Sequence, residues 1–240
     1  MNAEPQEHPT RMPAPRKPSS GPSSRPPGDL ADTKATAVLA PSLAAAFLNC
    51  GVDHLKEGLI SAAVSDFDEA IRIDPTLARA WCLRGYAHII RLAWPAALAD
   101  ILRALEIGLP VPFEDSARLR LWIARSRQGD SAAASRELNQ YFSRRITPAP
   151  AAWTLRVAAL LGDAIPENEF FESLPHISPP GSATYGCEAH YFAGMKRLVL
   201  GDRKGAARAF ENALATGGRS VSAWACAQAE LIVLRRSTGP

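Results

Sequence analysis

The chain has 240 residues, 47% of them hydrophobic, and a net charge of +3, which leaves room for one or two domains with a sizeable core. So small a charge does not argue for nucleic acid or a membrane surface as a partner. The four cysteines, Cys50, Cys82, Cys187 and Cys226, are widely spaced with no Cys-x-x-Cys pair, which fits neither a disulfide framework nor a zinc finger.

Residues 1–40 read as a disordered, Pro/Ser-rich tail. Eight prolines fall within residues 1–30, among Ser, Gly and charges, and such a segment buries too little apolar surface to offset its ordering entropy. Further on, Ala35 to Leu48 is apolar and runs into Phe47-Leu48-Asn49-Cys50, the outline of a lipoprotein signal. The fit is poor, because Asn49 stands where a small residue is needed and Pro41 interrupts the run. The expected location is therefore cytoplasmic, with a periplasmic or envelope-anchored lipoprotein as the alternative. No run reaches the ~20 apolar residues of a membrane span.

From residue 41 to 145 the sequence repeats. Phe47, Gly51, Ala63, Phe67 and Ala70 return, shifted by 34, as Trp81, Gly85, Ala97, Ile101 and Ala104. The Gly/Ala/Ala spacing recurs at Gly194, Ala206 and Ala213, with Phe210 between the alanines. A period of this length marks a stack of helical hairpins. Two helices that cross closely need small residues at the crossing and large ones beside it. Units are expected at 44–77, 78–111 and, in degenerate form, 115–145. Gly58, Gly129 and Gly201 fall where first helices should stop. Residues 146–183 depart from the repeat and read as an irregular helical linker, with helices from Ala151 to Leu161 and from Pro166 to Leu174. A final repeat unit with a capping helix, Ser220 to Arg235, occupies 184–236.

These residues resemble the tetratricopeptide repeat (TPR) family, most closely in Asp66-Phe67-Asp68-Glu69-Ala70-Ile71-Arg72-Ile73-Asp74-Pro75. The fold so implied is all-α, a TPR-type α-solenoid of antiparallel helix pairs with a capping helix. Leu121-Trp122-Ile123-Ala124, Trp153 before Leu160-Leu161-Gly162-Asp163, and Cys187-Glu188-Ala189-His190-Tyr191-Phe192-Ala193-Gly194 are similar to the new lipoprotein I family of bacterial TPR adaptors. That resemblance implies a homodimeric adaptor that brings a tail-specific protease to cell-wall hydrolases.

Motifs that carry chemistry are missing: there is no Gly-rich phosphate loop, no His-Glu-x-x-His and no Gly-x-Ser-x-Gly. Cys187 and His190 share a helical turn, but zinc needs further converging ligands. His54 and His88 occupy equivalent repeat positions, and no carboxylate accompanies either at helical spacing. No catalytic residue, metal site or cofactor is expected. The expected function is a non-enzymatic scaffold or adaptor that binds a partner peptide in the groove lined by first helices. Matching repeat positions place Leu48, Val52, Leu55, Arg79, Tyr86, Ile89 and Ile90 there. The Lys/Asn carboxylate clamp of chaperone-tail receptors is absent, since the matching places hold Leu48, Val52 and Leu83. The alternative is an accessory module binding a polyanion, RNA or a cell-envelope polymer, through the arginine-rich segment 118–145. Its seven arginines are opposed within the segment by Asp130 and Glu137. Nucleic acid would need stacking aromatics on the same surface, and Trp122 falls at a packing position instead.

Overall fold

The computed structural model describes residues 29–145, 152–177, 182–218 and 221–236, with side chains described from residue 41 onward. Among these residues all regular structure is helical. The order is α1 (Asp29–Lys56), α2 (Ile60–Ile73), α3 (Ala78–Ile90), α4 (Trp94–Ile107), α5 (Val111–Ser126), α6 (Ser131–Ser143), α7 (Ala152–Leu161), α8 (Glu167–Ile177), α9 (Ala183–Val199), α10 (Arg203–Ala215) and α11 (Val221–Arg236). The chain divides into residues 1–37 and 38–240. The first unit is helical from Asp29. Helix therefore begins inside the stretch expected as tail, where alanine is frequent and proline gives out after Pro27. Residues 1–28, the rest of that expected tail, lie outside the described residues.

Within residues 38–240 the packing follows from the small residues of the repeat. A Cβ on Gly51 would lie 2.5 Å from Phe67, one on Gly85 2.8 Å from Ile101, and one on Gly194 2.5 Å from Phe210. Each first helix thus passes so close to its second that only a hydrogen fits. Ala63, Ala97 and Ala206 are fully buried. The pairs α3/α4, α5/α6 and α9/α10 pack together, and α2 against α3 and α4 against α5 join one hairpin to the next. This is a TPR-type α-solenoid.

The turn between first and second helix recurs with one geometry. Gly58, Leu92, Gly129, Asp163 and Gly201 all take the left-handed conformation, φ between 56° and 92°. In each, the next residue donates its N–H to the carbonyl five positions back: Leu59 to His54, Ala93 to His88, Asp130 to Arg125, Ala164 to Ala159, Asp202 to Arg197. That bond closes the helix end by the Schellman pattern. The turn at Asp163 makes α7 and α8 a hairpin of the same type. Helix α7 packs on α5, α6 and α9, and Trp153, Val157, Leu160 and Leu161 are buried. Residues 152–177 thus continue the stack. Of the expected linker, 146–151 and 178–181 lie outside the described residues.

Helix α11 covers the end of the stack and also turns back along it. It packs on α9 and α10 and also reaches α3. Two polar contacts fix it to α5: Arg127 pairs with Glu230 at 3.3 Å, and Arg120 Nη2 donates to Ser222 Oγ at 3.0 Å. No described helix is long and apolar enough to cross a membrane.

Candidate functional site

The return of α11 decides which first-helix residues stay accessible. Helix α3 has α2, α4, α5 and α11 as neighbours, so eight of its 13 residues are buried. Four of the seven expected groove residues, Val52, Leu55, Tyr86 and Ile90, meet on the wall of one cavity of about 290 Å³. Leu83, Lys56, Arg120 and Ser222 complete it. Leu55 and Ile90 are shared with a second cavity of about 340 Å³, whose far wall is Trp224, Ala225, Gln228 and Ile232 of α11. The two cavities form an apolar groove between α1, α3 and α11. Leu48 and Ile89 are core residues, 4% and 2% exposed, and of the wall residues Leu55, Tyr86 and Ile90 are also buried, at 9%, 9% and 8%. Arg79 lies over the Phe113 ring, 4.6 Å from its centre.

Sequence reasoning did not place Arg120 or Ser222 in the groove. Leu83 was legible as an apolar first-helix position. Arg120 was hidden within an arginine-rich run, and Ser222 joins the groove only because α11 folds back onto α5. Arg120 stacks over the Tyr86 ring, 4.1 Å from its centre.

The other arginines of 118–145 are mostly spent inside the molecule. Arg118 bonds Glu114 and Glu137, Arg125 bonds Glu137, Arg145 pairs with Asp115 at 2.7 Å, and Arg127 takes Glu230. Glu114, Asp115 and Glu230 come from outside that run, which is why its sequence looked so unbalanced. Arg136 and Arg144 are exposed.

The two repeat-equivalent histidines each have a carboxylate, supplied across the hairpin. His54 Nδ1 donates to Asp66 Oδ2 at 2.6 Å, and His88 Nε2 lies 3.6 Å from Asp100 Oδ2. The spacing is 12 in both pairs, so a search along one helix misses them. Asp100 is also clasped by Arg84 through Nε and Nη2 at 2.8 and 2.7 Å, and Arg84 reaches Asp68 as well. This network ties α2, α3 and α4 together. Burial pushes the His88 imidazole below its ordinary value against the pull of Asp100.

Cys50 is exposed, but the other three thiols are buried and poorly placed for nucleophilic chemistry. Burial pushes Cys226 up to about 12, Cys187 up to about 11, and Cys82 upward. A thiol held protonated at neutral pH is a weak nucleophile and a weak metal ligand. His190 sits against Phe171, ring centres 5.0 Å apart. Among the described residues no group of three or more His, Cys, Asp or Glu side chains could hold a metal ion.

Comparison with known proteins gives no match to any protein-family model and none to a curated protein. Among solved structures, the chain is similar to YrrB, a TPR protein with an unusual peptide-binding site. The identity is 16% over 80% of this chain and 95% of that one, with a TM-score of 0.41. It is also similar to a tetratricopeptide repeat protein from Parabacteroides merdae, at 15% identity over 85% of this chain and 78% of that one, TM-score 0.45.

Proposed function

We propose that the chain is a non-enzymatic scaffold that holds a segment of another protein in the groove between α1, α3 and α11. The observation that carries this reading is the groove's wall: Val52, Leu55, Leu83, Tyr86 and Ile90 line a recess that opens to solvent. A contiguous apolar recess on a helical repeat suits a helical or extended segment placing side chains one turn apart. The internal pairing of Arg118, Arg125, Arg127 and Arg145 favours this over the polyanion reading, because paired guanidinium groups release few counterions on binding. The cytoplasmic location expected from the sequence belongs to the same proposal, whereas the homodimeric adaptor implied by the new lipoprotein I resemblance goes with the alternative periplasmic or envelope-anchored location.

A photoreactive side chain placed at Leu83 in the cavity, with Leu102 on α4 as control, tests it. Leu102 is 38% exposed and lies away from the groove. In cells of the native host, Leu83 should yield discrete protein adducts and Leu102 should not. Equal labelling at both positions, or none at either, would overturn the reading.

A further inference from the structure

Among the described residues, no carboxylate contacts the cation that lines the open cavity of the groove. Arg120 Nη1 donates to Ser116 O and Oγ at 3.3 and 3.4 Å, and Nη2 to Ser222 Oγ at 3.0 Å. All three acceptors are neutral. No carboxylate of the described residues pairs with Arg120, although Arg118, Arg125, Arg127 and Arg145 each have one. Glu188 acts on it only through its field, and its Oε2 accepts from Trp153 Nε1 at 2.9 Å. Beside Arg120 is a second unsatisfied group. Tyr86 is 9% exposed, and its buried Oη lies beside the Cys82 thiol and the Arg120 guanidinium but makes no well-aligned hydrogen bond among the described residues. Arg120 and Tyr86 line the same cavity, and the rest of its wall is largely Val52, Leu55, Leu83 and Ile90.

A half-buried guanidinium with no carboxylate in contact, and a buried hydroxyl without a well-aligned hydrogen bond, both cost free energy that a ligand's acceptor would offset. A planar guanidinium matches a carboxylate best. We propose that this cavity receives an acidic side chain flanked by an aliphatic or aromatic residue of a partner segment. The carboxylate accepts from Arg120 and from Tyr86 Oη, and the apolar neighbour packs on Val52, Leu55 and Ile90. Lys56 at the rim is paired with Asp53 at 2.7 Å, so the positive field in the cavity comes from Arg120. Ser222 is shared between Arg120 and the cavity wall, so α11 helps to aim the guanidinium. This inference rests on the scaffold reading and names the chemistry of the partner.

The test is display selection of random internal peptides, with no free C-terminus, on the full chain. Enriched peptides should place Asp or Glu within three positions of Leu, Ile or Phe. In a synthetic copy, Glu→Gln should weaken binding by at least about tenfold, Arg120→Gln in the protein should do the same, and the two losses should not add. Circular dichroism should show Arg120→Gln melting near the parent. If that variant does not fold, Tyr86→Phe takes its place in the cycle: it keeps the ring and removes the donor. Enriched peptides without acidic residues, or an affinity indifferent to these changes, overturn the carboxylate site and leave the scaffold reading standing. Selection that captures no peptide overturns both.

Discussion

At the scale of single residues, the close crossings are the sharpest expression of the sequence. A methyl group on Gly51 or Gly194 would sit 2.5 Å from the buried Phe67 or Phe210 ring. Gly51→Ala and Gly194→Ala should each destabilise the protein by about 1–3 kcal/mol, measured by urea titration. Gly186, on α9, offers the contrast, because its Cβ would meet only Thr216 at 3.4 Å and beyond. Gly186→Ala should leave stability unchanged or raise it by up to about 1 kcal/mol through helix propensity. The crossings were legible because glycine and alanine at fixed spacing have one economical cause. The turns were only half legible. Gly58, Gly129 and Gly201 announce a left-handed residue, whereas Leu92 and Asp163 adopt the same conformation without the residue type that advertises it. That is why the α7/α8 hairpin read as a linker.

Two histidines set the acid response. Burial lowers His88 and His190 below the ordinary value of 6.5. The folded chain therefore binds fewer protons at these sites than the unfolded chain. Their contribution is full above pH ~6.5 and is lost as pH falls through the window below it. Glu230 works the other way: burial raises its carboxyl, so protonation at low pH relieves it. The melting temperature should fall between pH 7.5 and 5.5, and the fall should be shallower in a His88→Gln/His190→Gln variant. A parallel decline in the two proteins would contradict the assignment.

At the scale of elements, α11 carries what the sequence least revealed. Its periodicity marks a cap, and as a cap it packs on α9 and α10. Its contact with α3 depends on how far the stack has turned by the last unit, and no local pattern encodes that. Leu48 and Ile89 were expected in the groove because repeat register places them on first helices. Their burial is decided by neighbouring hairpins, not by register. The ion pair between Arg127 and Glu230 is the test of the α11 placement, with the Glu230 side chain 1% exposed. Arg127→Ala leaves the buried carboxylate only the field of Arg203 and should cost up to about 3 kcal/mol. Arg127→Met combined with Glu230→Leu removes both charges and should recover most of that loss. Additive losses in the double variant would show that the two side chains do not meet.

At the scale of the whole chain, the described helices from residue 38 onward join five hairpin turns of one geometry to a last helix that packs back onto α3. The repeat gave the fold class from sequence, because a 34-residue period admits few architectures. The groove was legible only as a set of first-helix positions, of which Val52, Leu55, Tyr86 and Ile90 meet on its wall. Arg120 and Ser222 enter through tertiary contact. The central claim is that a partner segment sits in this groove, between α1, α3 and α11. Hydrogen–deuterium exchange on the full chain, with and without a peptide recovered by display selection, tests it most directly. The account predicts added protection in residues 52–59, in α3 from Leu83 to Ile90 and in α11, with α2, α4 and α6 unchanged. Protection confined to those second helices, or to the α5/α6 surface around Arg144, would contradict it.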